Sequence, residues 1–276
     1  MIKKIGFMQG RLSPIIDGKI QAFPRDHWRN EIALGNELGI NIMEWTIDQD
    51  RLYENPIMTE EGQDEIKALC KKYNFLIPSL TGDCFMQAPF WKTSDSRYSE
   101  KLKDDFKAIV NSCNKTNIKL LVVPLVDDGS LTNIHEENTL IDFLIDQQLY
   151  FKRSGIRIAF ESDFSPVELH RFISKLDQDV FGINYDIGNS ASLGLNPEEE
   201  FKFIGDRILN VHVKDRVFGG TTVPLGQGNA DFKTVCRLLK SHKYNANYIL
   251  QTARASNGQH MEVLLQYKNF VQGEFN

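Results

Sequence analysis

Cysteine is scarce and never closely paired. Cys70, Cys84, Cys113 and Cys236 stand far apart with no Cys-x-x-Cys among them, which argues against a zinc ribbon or a redox motif and leaves reduced, partly buried thiols. Long apolar runs are missing as well. Nothing approaches the ~20 residues of a membrane span, and Met1-Ile2-Lys3-Lys4-Ile5-Gly6 lacks the apolar core of a signal peptide, so a cytoplasmic protein with no membrane partner is expected. There is no long basic run. With 32 Lys and Arg against 37 Asp and Glu the formal net charge is −5, which offers no cationic footprint for phosphates and argues against nucleic acid as a partner. Met8-Gln9-Gly10-Arg11 lacks the G-x-G-x-x-G spacing of a doubly wound dinucleotide fold. No Gly/Ser-rich linker or shift in composition marks a domain boundary.

What is present is an alternation. Strand-length apolar runs recur, each followed by a segment of helical period. The expected pairs are Ile5–Met8 with His27–Leu38, Ile40–Trp45 with Glu60–Tyr73, Phe75–Leu80 with Ser96–Asn114, and Lys119–Pro124 with Glu136–Ser154. The second half continues with Ile156–Glu161 and Pro166–Lys175, Phe181–Asp186 and Pro197–Ile204, Ile208–Val213 and Asp231–Ser241, then Tyr248–Gln251 and Gly258–Val271. Unbroken runs such as Leu120-Leu121-Val122-Val123 suit a parallel sheet covered on both faces. Eight such units in 276 residues predict an α/β fold of one domain, residues 1–276, as a (β/α)8 TIM barrel. The stretch Ser79–Ser96 reads as a loop at the barrel mouth.

Barrel chemistry collects at the C-terminal ends of strands, and those ends are polar here. They carry Gln9 and Arg11, Glu44, Asp83, Glu161, Asp186, His212 with Lys214, and Gln251 with Arg254. Taken singly, a carboxylate at a strand end is often a helix N-cap, and a histidine flanked by Val211 and Val213 is often a hydrogen-bonded core residue. Together, Glu161, Asp186, His212 and Gln251 come from neighbouring strands and form an oxygen and nitrogen donor set suited to one divalent metal, Mn2+, Mg2+, Co2+ or Zn2+. Trp45, Phe85, Phe90 and Trp91 could cover a sugar face or simply anchor loops. Gly226-Gln227-Gly228 reads as a turn that delivers Asp231 as an N-cap.

The chain resembles the sugar (phosphate) isomerase/epimerase superfamily, with its xylose-isomerase-like TIM barrel, over nearly its whole length. The resemblance is carried by Met8-Gln9-Gly10-Arg11-Leu12-Ser13-Pro14, Glu161-Ser162, Tyr185-Asp186-Ile187-Gly188-Asn189, His212-Val213-Lys214-Asp215 and Pro224-Leu225-Gly226-Gln227-Gly228. The motifs are most similar to those of L-ribulose-5-phosphate and L-xylulose-5-phosphate 3-epimerases. The resemblance implies a divalent metal held by Glu161, Asp186 and His212, with Glu161 also the catalytic base. The family's fourth ligand, a second Glu that also acts as acid or base, is Gln251 here.

That departure bears on the chemistry. An amide oxygen can bind a metal but cannot carry the second proton of a two-base epimerisation. The resemblance therefore implies an isomerase or epimerase of a small sugar or sugar phosphate, with an inosose-dehydratase-like lyase or a non-catalytic sugar-binding relative as alternatives. An endonuclease IV-like enzyme would need many histidines, whereas only one of the six here stands at a strand end. Gln9, Arg11, Glu44, Asp83, Lys214, Arg216 and Arg254 are the candidates for holding the substrate, with Glu44, Asp83 and Lys214 the candidates for a second proton. A homo-oligomer is compatible with the sequence.

Overall fold

Eight parallel strands close into a ring. β1 (Lys4–Met8), β2 (Ile42–Ile47), β3 (Leu76–Gly82), β4 (Leu120–Leu125), β5 (Arg157–Ser162), β6 (Phe181–Asp186), β7 (Ile208–Val213) and β10 (Asn247–Leu250) are joined in the order β1-β10-β7-β6-β5-β4-β3-β2. Every neighbouring pair is parallel. The structure is a computed structural model that describes residues 4–255 and 257–275. A two-residue antiparallel hairpin, β8 (Asp215–Arg216) with β9 (Thr222–Val223), stands on the mouth after β7. No helix among the described residues is long and apolar enough to cross a membrane.

The helices begin and end where local chemistry tells them to. They are α1 (Trp28–Glu37), α2 (Glu60–Tyr73), α3 (Asp83–Gln87), α4 (Ser96–Lys115), α5 (Ile134–Ser154), α6 (Pro166–Ile173), α7 (Ile187–Leu193), α8 (Pro197–Ile204), α9 (Phe232–Ser241) and α10 (His260–Glu274). Thr59 caps α2 by accepting from Gly62 N, Asn133 caps α5, and Ser165 and Glu168 form a capping box at α6. Each such cap satisfies backbone donors that would otherwise be left without partners, typically about 1 kcal/mol of stability. Asp231 caps α9 through Thr234 N at 3.0 Å, the role expected of it.

A layer of aromatic rings fastens helices to the barrel. Phe106 of α4 lies 5.3 Å from Phe143 and 5.7 Å from Phe151, both of α5, and Phe151 meets Phe181 of β6 at 6.1 Å. The first and last of these pairs are edge-to-face and the second tilted, contacts that add to the area they bury. The expected loop anchors behave as anchors: Trp45, Phe85, Phe90 and Trp91 are all buried, with Trp45 Nε1 donating to Asn55 and Trp91 Nε1 to Gly129 O. Cys84, Cys113 and Cys236 are buried, Cys70 partly so, and none is bridged.

Several boundaries differ from the sequence reading by a residue or more, and three of the differences have a plain local cause. β2 starts at Ile42 rather than Ile40, because Ile40 N donates to Gly35 O and Gly39 N to Asn36 O, closing α1 in a Schellman turn around Gly39. β3 continues to Gly82 and the short α3 follows at once, so residues 79–96 are not one loop. The segment after β6 turns directly into α7, because Asp186 Oδ1 accepts from Asn189 N at 2.8 Å as its N-cap.

Candidate metal centre and cavity

The inward positions of the strands hold polar residues in pairs two apart, as strand periodicity requires. β2 offers Glu44 and Thr46, β3 Ser79 and Thr81, β6 Asn184 and Asp186, β7 Asn210 and His212, and all eight are buried. Asp186 stands in register with His212, and Glu44 with Ser79. The side chains meet in the barrel lumen rather than above it. Glu44 accepts from Ser79 Oγ (2.6 Å), Thr81 Oγ1 (2.6 Å) and Asn210 Nδ2 (2.8 Å), and its Oε1 lies 2.7 Å from His212 Nε2.

His212 is thereby oriented. With Nε2 turned to Glu44, Nδ1 points to Glu161 Oε2 at 3.0 Å and Asp186 Oδ2 at 3.9 Å. One donor atom from each of Glu161, Asp186 and His212 falls within 4.8 Å of the others. Burial alone would lower the histidine's pKa, yet Glu44 and Glu161 push it up to about 10. Burial would likewise raise both carboxylates, but His212 holds Glu44 and Glu161 below their usual range, aided by Ser79 and Thr81 at Glu44 and by Lys214 at Glu161. The site thus calls for positive charge at one point. A divalent ion would answer that demand with hard oxygen donors and one imidazole, while the carboxylate behind the histidine supplies the outer support that metal-binding histidines commonly have.

Gln251 and Glu161 line one cavity. The Gln251 side-chain Oε1 is buried without a hydrogen-bond partner, while its backbone N is fixed on Val213 O at 3.1 Å. An orphaned amide acceptor is available to a cation or to a ligand hydroxyl. Asn184 and Asn189 complete the frame, donating to Glu161 Oε2 at 2.8 Å and Oε1 at 2.6 Å.

A cavity of 430 Å³ reaches this centre at Glu161, and is lined also by Asp83, Pro124, Lys214, Arg216 and Gln251. Lys214 Nζ bonds Asp186 Oδ2 at 2.8 Å, and Arg216 is held by Asn189 Oδ1 and Gly220 O. No carboxylate pairs with Arg216 among the described ion pairs, so its charge faces the cavity uncompensated. The wall carrying these residues is pinned from beneath: Asp215, fully buried, accepts from Gly226 N, Gly228 N and Ala230 N. A Cβ at Gly228 would fall 2.2 Å from Asp215 Oδ1, so only glycine permits that approach.

Four residues expected at the substrate stand elsewhere. Glu44 is sealed beneath the site as the partner of His212. Gln9 is sealed between strands, its Oε1 accepting from Thr46 N at 3.0 Å. Arg11 bonds Gln21 and, with Arg254, lines a separate narrow crevice near His260. Arg254 donates to Ser13 O and lies near the buried Glu31 carboxylate, which holds Gly10 N and Leu12 N at 2.8 Å each. In each case the fold already holds the side chain by a contact of its own, although Gln9 Nε2, Arg11 Nε and Arg254 Nε are buried without a partner. Conversely, Asn184, Asn189 and Asn210 were not among the expected site residues. The spacings Asn184-x-Asp186 and Asn210-x-His212 carried the signal, since residues two apart on a strand share a face.

Comparison with known proteins agrees with this architecture. The Xylose isomerase-like TIM barrel family model matches residues 32–267. A Haemophilus influenzae protein, SgbU, whose assignment as an L-ribulose-5-phosphate 3-epimerase is provisional, is 21% identical over 271 residues, covering 91% of this chain and 93% of its own. Among solved structures, IolI with a bound zinc atom superposes with a TM-score of 0.76 at 16% identity, covering 97% of this chain and 96% of its own. D-allulose 3-epimerase from Methylomonas sp. gives 0.77 at 14% identity, covering 99% and 98%. With the family model extending over most of the eight strand–helix units and the closed barrel in agreement, the chain belongs to the xylose isomerase-like TIM barrel family.

Proposed function

We propose that this protein is a divalent-metal-dependent isomerase or epimerase of a small sugar or sugar phosphate, working by proton transfer at the carbon next to a carbonyl. The observation that carries the reading is the convergence of Glu161, Asp186 and His212 donor atoms within 4.8 Å, with Glu161 on the wall of a 430 Å³ cavity, a size within the ~300–1,000 Å³ of small-molecule sites. The names of the relatives agree with it: SgbU is a provisional ribulose-5-phosphate epimerase, and the Methylomonas enzyme has been solved in complex with D-allulose.

Glu161, Asp186, His212 and Gln251 would hold the ion. When bound, such an ion supplies Lewis acidity that draws electron density from a substrate carbonyl and hydroxyl. Glu161 is the general base. Asn184 and Asn189 fix both of its oxygens, so the carboxylate is aimed before the substrate arrives. Lys214 and Arg216 bind oxygens of the substrate, and the uncompensated charge of Arg216 suits a phosphate or another anionic group. Asp83 reaches the substrate from the β3 side.

Two measurements test this. Protein purified without chelator should carry a divalent ion that Asp186→Ala loses, and failure to bind any divalent ion under loading would refute the metal centre. Incubation with ketoses and aldoses in deuterated water should place deuterium at the carbon next to the carbonyl. The neutral Gln251 favours one alternative on the same barrel, a lyase needing one base to remove water. Growth of enone or diketone absorbance without interconversion of sugars would establish it.

A further inference from the structure

We propose that Asp83 is the second proton-carrying residue of this site, taking the place of the acid that Gln251 does not provide; the assignment rests on the proton-transfer reading above. Asp83 is the first residue of α3, directly after β3. It is 7% exposed, no side chain among the described residues hydrogen-bonds its carboxyl group, and it lines the same cavity as Glu161. Pro124 of β4, the strand between β3 and β5, lines that cavity too. A substrate resting against Pro124 therefore has Glu161 at its β5 side and Asp83 at its β3 side.

The surroundings of the Asp83 carboxyl favour its protonated form. Burial, then Asp48 and Glu161, push Asp83 up to about 8, against the opposing pull of Arg11 and His212. Near neutral pH the Asp83 carboxyl therefore keeps a proton that it can donate, as the acid partner of a base must. Glu161 removes the proton next to the carbonyl, and the C–H electron pair becomes the C=C bond of an enolate. On return the enolate oxygen re-forms C=O, and the carbon takes the Asp83 proton. Glu161 is left protonated and Asp83 ionised, and water exchange resets both. In the reverse direction the roles interchange.

The test is Asp83→Asn in the metal-loaded protein, with a ketose found to react in deuterated water. Interconversion of epimers should fall at least about 100-fold, while deuterium exchange at the reacting carbon stays within about tenfold of the parent, because Glu161 still removes and returns a proton on its own side. Glu161→Gln should lose both. Interconversion within threefold of the parent in Asp83→Asn overturns the proposal. Absence of exchange in the parent with every sugar tried overturns the proton-transfer reading and this proposal with it, and is told apart because the parent itself is then silent. Carbon-13 titration gives a readout without substrate: a midpoint above 6 for the Asp83 carboxyl supports the assignment, and one below 5 overturns it.

Discussion

His212 Nε2 and Glu44 Oε1 lie 2.7 Å apart, both fully buried, and this contact fixes which ring nitrogen faces Glu161 and Asp186. Glu44→Gln keeps the shape but removes the charge that holds Nε2 as the donor. Metal affinity should drop about 10–100-fold, the usual effect of losing an outer-shell partner of a histidine ligand. Titration of the stripped protein with Mn2+ or Zn2+ by calorimetry checks it, and an unchanged affinity would show that His212 is oriented by other contacts.

Gln251→Glu restores a negative charge next to the centre. The ion should bind more tightly, by tenfold or more, and a saturating ion should raise thermal stability further than it does in the parent, since binding only to the folded state stabilises by mass action. Paired thermal melts with and without ion measure this. Equal shifts in both proteins would place Gln251 outside the ligand set.

Burial of Asp83 has a stability signature. Its folded-state pKa of about 8 lies above the ordinary value of 3.8, so over that window the folded protein keeps a proton that the unfolded chain has released. Stability therefore falls as pH rises through the window, by at most about 1.4 kcal/mol per pH unit, and levels off above about 8. Asp83→Asn should match the parent at pH 4 and exceed it at pH 9, as read from denaturant melts of the metal-free proteins. A difference that does not vary with pH would contradict the raised value.

Far from the cavity, Glu137 of α5 ties down α6 and the turn after it. Its buried carboxylate is gripped by Arg171 at 2.6 and 2.7 Å and by Lys175 at 2.7 Å, contacts that outweigh burial and lower its pKa. Glu137→Ala should lower stability by about 1–3 kcal/mol, the range for losing charge-assisted bonds, and leave metal binding unchanged. The loss should shrink as pH falls below the unfolded carboxyl value near 4.5 and on through the lowered folded one, because the parent then loses the same contacts.

The barrel and three residues of the candidate metal centre were legible because they depend on local pattern. Glu161, Asp186 and His212 each end or nearly end an apolar run, and repetition of that arrangement on successive strands needs no three-dimensional knowledge. Glu44 was seen as a polar strand end, but its true neighbour, His212, is 168 positions away, and no local spacing encodes a contact across the lumen. Arg11 and Arg254 were misplaced for a related reason. A cation at a strand end looks alike whether it faces solvent, substrate or a buried carboxylate such as Glu31, and only packing decides. The start of β2 was missed because Ile40 is apolar in either role, and the left-handed Gly39 assigns it to the helix turn.

The bond between Glu44 and His212 also links assembly to chemistry. Glu44, Ser79, Thr81 and Asp83 come from the first four strand–helix units of the ring, and Glu161, Asp186, His212 and Gln251 from the last four. Neither half of the chain contains a finished centre. A half-barrel could gather these four donors yet leave the imidazole without the group that aims it, so the reactive arrangement comes into being only when β1 meets β10 and the ring shuts. Closure of the fold and creation of the site are one event, and a chain that misfolds at that seam is inert as well as unstable.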